Sequence, residues 1–361
     1  MNIDGVPYRT IWRASDGAVS IIDQTRLPHE FAVTSLTSLD DAVRAIRDMQ
    51  VRGAPLIGAA AAFGLGLAMA ADSSTDALDA AMHALLRTRP TAVNLRWALE
   101  RVGERLRQCP PDRREAAAFA EAEQLCEEDI RSNHAIGAHG LGLIRAAWES
   151  KGETVNILTH CNAGWLATVD WGTALAPVYA ANEAGIPVHV WVDETRPRNQ
   201  GASLTAWELA HQGIAHTVIV DNVGGHLMQH GRVDLVLVGS DRTTACGDVC
   251  NKIGTYLKAL AARDNDVPFY VALPSSTIDW ELDAGRAIPI EERSALEVSR
   301  VVGLTPAGER VAVSVTPPES PVANFAFDVT PARLVTGLLT ERGVCEASRD
   351  GLARLFGEVR R

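Results

Sequence analysis

The sequence predicts an α/β protein with a C-terminal Rossmann-like, doubly wound parallel sheet and a smaller, mostly helical N-terminal domain carrying short strands. Three observations predict it. From Glu153 onward, β-branched runs of strand length alternate with helical patterns, as in parallel strands buried on both faces. Before Ser132, apolar residues recur at helical spacing. The polar and Gly-rich segments fall directly after the apolar runs of the second half. A length of 361 residues suits two domains, expected at 1–135 and 136–361.

Taken in order, TIWRAS and AVSIIDQT read as short strands, followed by a turn at LPHE. Residues Leu39–Met49 carry helical periodicity. The segment Gly53–Ala71 is uncharged, with Pro55 near a first helical turn, where its missing N–H costs little. It approaches bilayer length, yet it is mostly Ala and Gly and is bordered by Arg52 and Asp72. A buried core helix is therefore expected, not a membrane span. Helices follow at DALDAAMHALLRTRP, at AVNLRWALERVGERLRQ and over about 113–132. Strands are expected at 155–160, 187–194, 216–222, 233–241 and 268–274, and helices at 167–184, 203–213 and 251–263. A last helix is expected over Pro331–Arg342, introduced by Asp328 and Thr330.

The formal net charge is −11, and no Lys/Arg-rich run is present, which argues against a nucleic-acid partner. Cysteines at 109, 126, 161, 246, 250 and 345 are too scattered for a disulfide framework and point to a reducing, cytoplasmic setting. The N-terminal residues show no signal-peptide apolar core.

Ligands of doubly wound sheets bind outside the carboxyl ends of the strands. The segments there are HCNAG (160–164), DETRPRNQG (193–201), DNVGG (221–225), GSDRTTACGDVCNK (239–252) and LPSSTID (273–279). Cys161 follows a buried strand, and a thiol at a helix start would have a lowered pKa and serve as base or nucleophile. The plainer alternative is an inert buried thiol. Asp241 closes VDLVLVGSD, where desolvation would raise its pKa and keep it a proton donor; it could equally cap a following helix. Residues 247–252 are expected to open a helix and, with Lys252, to seat a phosphate. There is neither a Walker loop nor a GxGxxG after any strand, so no nucleotide or NAD site is indicated. Arg52, Gly53 and Ala54 open the Ala-rich helix and suit an anion, and Arg96 could add a second guanidinium. A lone arginine is more commonly part of a structural ion pair. Cys246, Cys250, His160 and Cys161 could in principle gather a zinc ion, but the spacing is not a paired CxxC, and no metal is expected.

Together, VRGAPLIGAAAAFG, ILTHCNAGWLAT, DETRPRNQGASLTAWEL, GSDRTTACGDVCNKIGTYLKAL, FYVALPSSTID and FDVTPARLVTGLLTERGV resemble the methylthioribose-1-phosphate isomerases, from about Val51 to Val344 and in the same order. Their superfamily also holds ribose-1,5-bisphosphate isomerases and the regulatory subunits of translation initiation factor 2B. The resemblance implies Cys161 and Asp241 as the catalytic pair. It implies Arg52, Gly53, Ala54, Arg96, Gln200, Asn251 and Lys252 as substrate-binding residues. It further implies a cofactor-free, homodimeric enzyme of methionine salvage, acting on a sugar phosphate. Two positions depart from the family pattern: Asn199 stands where Leu is expected before the Gln, and Phe325 where Pro is expected in NFAFDVTP.

Overall fold

A computed structural model describes residues 1–89 and 92–357; residues 90–91 and 358–361, the last four of the expected C-terminal domain, lie outside the described residues. An antiparallel three-stranded sheet (Ile11–Arg13, Val19–Ile22, Val33–Leu36) precedes the helices. The first helix, Leu39–Arg47, begins with a capping box: Ser38 accepts from the Asp41 backbone N–H, and the Asp41 carboxylate accepts from that of Ser38.

The helix Ala54–Ala71 lies at the centre of the helical core. Its mean hydropathy is 1.8 and it is long enough to cross a bilayer, yet 78% of it is buried within the protein. Its small residues let neighbours pack closely. Gly64 faces Ala42 and Leu85, and Gly66 faces the ring of Phe119, where a Cβ would stand 2.8 Å from that ring. The helices Thr75–Leu86, Val93–Arg107 and Pro111–Lys151 complete this core.

Pro111–Lys151 is far longer than the periodicity over 113–132 predicts, and it runs through position 135. Ala118, Phe119, Ala122 and Leu125 serve the helical core, while Ile136 and Ile144 serve the core under the sheet. One helix thus changes partners midway. Gly137 and Gly140 make the second packing possible, because a Cβ on them would press on Ala176 and Pro177.

The large sheet has seven strands in spatial order Gly343–Cys345, Gly337–Thr340, Phe269–Ala272, Leu235–Val238, Val155–Thr159, Val188–Asp193, His216–Ile219. All pairs are parallel except the edge pair of Gly337–Thr340 with Gly343–Cys345. Numbering the parallel strands along the chain, the order is 3-2-1-4-5-6, the doubly wound arrangement, with its switch point between strand 1 (Val155–Thr159) and strand 4 (Leu235–Val238). A second sheet of Ile278–Asp279, Arg242–Thr244, Val249–Lys252 and Phe327–Thr330 stands over the carboxyl end of strand 4.

Three further expected elements differ. The region 167–184 is helical only in the 3₁₀ turn Trp165–Ala167 and in Ala176–Glu183, because residues 163–175 fold back on themselves: Thr173 and Leu175 both donate to the Ala163 carbonyl. Residues 249–252 form a strand paired with Phe327–Thr330, and the helix starts only at Thr255. Pro331–Arg342 is a 3₁₀ turn followed by the sixth parallel strand; Leu338 and Leu339 are wholly buried between layers, and that tertiary burial overrides the helical spacing. Asp328 does cap a helix, but it is Thr255–Asp264: its carboxylate accepts from Gly254 and Tyr256 N–H.

Candidate active site

The register Ile157↔Leu235 and Leu158↔Val236 brings the ends of strands 1 and 4 together, so Cys161 and Asp241 emerge side by side at the switch point. Both line one cavity of about 30 Å³ together with Arg52, Gly53, Ala54 and Asn251.

The Cys161 loop is over-determined. Cys161 takes a left-handed φ of 66°. Its N–H donates to Thr195 Oγ1 at 2.8 Å, its carbonyl accepts from Thr205 Oγ1 at 2.7 Å, and its Sγ lies 3.4 Å from Gln200 Oε1. Beneath the loop the buried Glu208 carboxylate accepts from Asn162 Nδ2, Tyr179 Oη and the backbone N–H groups of Trp165 and Leu166. Burial raises the pKa of Glu208, and these four donors oppose that rise. Glu208 was not singled out from sequence; an acid inside the apolar run TAWELA was its only signal.

Arg52 is fixed by Asn162, donating to its side-chain oxygen and, at 2.9 Å, to its carbonyl. Gly53 has φ 95°, and a Cβ there would lie 2.3 Å from the Ala167 carbonyl oxygen, so only glycine fits between the two loops. The 18-residue helix Ala54–Ala71 therefore points its N-terminus at the cavity. Asp241 is carried by Gly239, whose missing side chain leaves room for Ala163, and its N–H donates to the Cys250 carbonyl at 2.9 Å. Lys252, on the second sheet, places its ammonium 4.9 Å from the Phe327 ring centre.

The electrostatics tie these groups together. Burial pushes the Cys161 thiol above its ordinary pKa; Arg52 and Lys252 pull it down and Asp241 adds to the rise. The expectation of a lowered value is thus corrected. No long helix starts at Asn162, so the thiol lacks that dipole, and desolvation dominates. Burial likewise raises Asp241, against Lys252, Arg52 and Arg89. Burial lowers Lys252, and Cys161 and Asp241 oppose the change.

Arg96 is not brought to the site. It lies on the exposed face of Val93–Arg107, 4.0 Å from Glu100. The second guanidinium is Arg89, buried, paired with Glu291 at 3.2 Å, and sharing a cavity wall with Asp241 and Ala54. Its place just past the end of the helix Thr75–Leu86 held no periodic signal.

A larger cavity of about 330 Å³ adjoins the first through Arg52, which lines both. Met49, Leu204, Leu296 and Val302 supply apolar walls, and Arg198, Arg300 and Arg310 supply charge. The hairpin Arg300–Leu304 and Arg310–Ser314 forms one side, tied to the N-terminal region where Arg310 donates to the Thr25 carbonyl at 2.6 Å.

Behind Cys161, His160, Asp193 and Asp221 hold ligand atoms within 4.8 Å of one another. The Lys258 ammonium lies 3.1 Å from Asp193 Oδ2, so a cation already occupies that cluster. Cys246 does not join it: its sulfur lies 3.7 Å from Arg349, while Cys250 packs with Ile288 and Phe327.

Fold and site together define a doubly wound α/β protein with an anion-binding crevice and an acid and a thiol at its switch point. The chain belongs to the Initiation factor 2 subunit family, whose sequence model matches residues 50–347. Within that family its relatives include methylthioribose-1-phosphate isomerases. That of Rhodospirillum rubrum is 65% identical, with 99% of this chain and 94% of that one covered. That of Paramagnetospirillum magneticum is 64% identical over 99% of both. Among solved structures, the 5-methylthioribose 1-phosphate isomerase of Pyrococcus horikoshii superposes with a TM-score of 0.81 at 40% identity, covering 99% of each chain. A structure titled translation initiation factor eIF-2B, subunit delta, from A. fulgidus gives 0.79 at 38%, covering 97% of this chain and 99% of that one.

Proposed function

We infer that this chain is an aldose–ketose isomerase that converts 5-methylthioribose 1-phosphate into 5-methylthioribulose 1-phosphate, the methionine-salvage step its relatives are named for. The observation that carries the reading is the placement of Cys161 and Asp241 on one small cavity at the switch point, ringed by Arg52, Arg89 and Lys252.

The esterified anomeric oxygen blocks a free aldehyde, so the sugar ring must open with its phosphate attached. Asp241, whose protonated form burial favours, gives its proton to the ring oxygen as the C1–oxygen bond breaks. In a phosphoenolate route Cys161, as the thiolate that Arg52 and Lys252 favour, then takes the proton from C2 and returns it to C1, while the O2 proton passes to the Asp241 carboxylate and the enol becomes the ketone. In a hydride shift from C2 to C1, Cys161 takes the O2 proton instead. Arg52, Arg89, Asn251, Lys252 and the helix N-terminus at Ala54 hold the phosphate and orient the sugar. Gln200, in contact with the Cys161 sulfur, stands between the reacting carbons and the larger cavity, which takes the 5-substituent against Met49, Leu204 and Leu296.

Arg198, Arg300 and Arg310 on the same cavity favour a second reading, a 5-phosphorylated pentose 1-phosphate. Assay of the pure protein against 5-methylthioribose, 5-deoxyribose and ribose 5-phosphate forms of the 1-phosphate decides. Highest kcat/KM on the methylthio sugar is expected, and no turnover of any of the three would return the chain to a non-catalytic, regulatory-subunit role. Solvent isotope exchange at the migrating hydrogen separates the two routes; full retention excludes Cys161 as the base at C2. We further propose a cytoplasmic homodimer and a functional division near 135, with residues 111–151 as the shared spine. Val218, Val220, Leu257 and Leu260, exposed on the edge strand and on Thr255–Asp264, support pairing through the C-terminal domain.

A further inference from the structure

The geometry points to His160 as a positioning residue that sets Lys252 against Cys161, an inference that rests on the roles proposed above for those two residues. The ring is 1% exposed. Its Nδ1 lies 2.8 Å from Asp193 Oδ2, and its Nε2 lies 2.8 Å from the Ile253 carbonyl oxygen. A backbone carbonyl only accepts. Asp193 is ion-paired with Lys258 at 3.1 Å and is therefore a carboxylate, which also only accepts. Both ring nitrogens are thus engaged, and the ring cannot turn without losing a bond at one side. The charged groups facing it are Asp193 from the second parallel strand, Asp221 after the third, Lys258 from Thr255–Asp264 and Asp328 from the strand Phe327–Thr330.

The connectivity gives this ring its purpose. His160 is the residue before Cys161, and Ile253 is the residue after Lys252. One rigid ring therefore joins the backbone of the thiol to the backbone of the ammonium. Gly254, at φ 104°, lets that turn descend onto the ring, where a Cβ would stand 3.0 Å from Cε1. On the other side, the Asp193 carbonyl accepts from Thr195 Oγ1, which in turn accepts the Cys161 N–H. No other buried side chain bridges these loops in both directions among the described residues.

Two substitutions separate this role from simple support of the fold. In His160→Gln the amide nitrogen reaches the place of Nε2 and keeps the bond to Ile253; in His160→Asn it reaches the place of Nδ1 and keeps only the bond to Asp193. Positioning of Lys252, which holds the phosphate, predicts a loss in kcat/KM below about tenfold for Gln and of about 100-fold for Asn. Equal losses, or the reverse order, overturn the role. Wild-type protein that turns over none of the sugar phosphates refutes the proposed function instead.

Discussion

The helical region and the crown of loops above the sheet use the same residue types to opposite ends. Along the middle of Ala54–Ala71 the neighbours are apolar and close, as where Gly64 meets Ala42 and Leu85 and Gly66 meets Phe119. At the carboxyl ends of the strands, Arg52, Cys161, Asp193, Glu208, Lys252 and Lys258 are buried and Asp241 is half-buried, each against a partner or an opposing charge, with Arg89 and Glu291 beside Asp241. The cysteines make the same contrast. Cys250, in an apolar cluster, has its thiol pushed up to about 12, whereas the rise at Cys161 is opposed first by Arg52 and Lys252. Burial sets stability in the first region; in the second it tunes reactivity and must be compensated locally.

If that contrast holds, Asp241→Asn lowers kcat by about 10²–10⁴-fold while Tm, followed by calorimetry, does not fall; a matching loss of Tm would make Asp241 a structural residue. Phe63→Ala is the converse case. Removing this buried ring from the helical core costs about 3–5 kcal/mol of stability in denaturant unfolding, while kcat per folded molecule stays near wild type. Next in size, Arg89→Ala raises KM for the sugar phosphate about 10- to 100-fold through the lost charged hydrogen bond, and Arg96→Ala, on the solvent face, leaves KM unchanged.

The pH profile sharpens the comparison further. Asp241 must be protonated to donate, and its raised pKa carries that form above the ordinary carboxylate range, so kcat falls as pH rises through it. Asp241→Asn abolishes that limb. The smallest effect belongs to the helical region: Ser38→Ala removes a cap and costs about 1 kcal/mol. Its partner Asp41 is held down to about 2, first by the Thr37 backbone N–H. A depressed carboxylate stabilises above its unfolded value, and that contribution is lost as pH falls toward 2, so acid unfolding of Ser38→Ala starts at higher pH.

Much of this was legible beforehand. Four of the five loops reach the two connected cavities, whereas Asp221 of DNVGG stays with His160 and Asp193 behind Cys161; Arg52, Gly53, Ala54, Cys161, Gln200, Asp241, Asn251 and Lys252 line or adjoin those cavities. The failures are instructive. Arg96 sits in a clear helix and drew attention from Arg89, which lies in an aperiodic turn. Residues 249–252 carry a Gly-initiated pattern that suits a helix start, yet cross-strand pairing with Phe327–Thr330 holds them extended. Gly337–Thr340 reads as helix until two layers bury it.

Periodicity along the chain was enough to determine the alternation of strands and helices and the burial of Ala54–Ala71, because those properties depend on neighbours a few positions apart. The 3-2-1-4-5-6 order, the meeting of Cys161 with Asp241, the choice of Arg89 and the direction of the thiol's pKa depend on groups brought together from distant stretches of chain. Desolvation and charge pairing act through space, so only the packed structure could decide them.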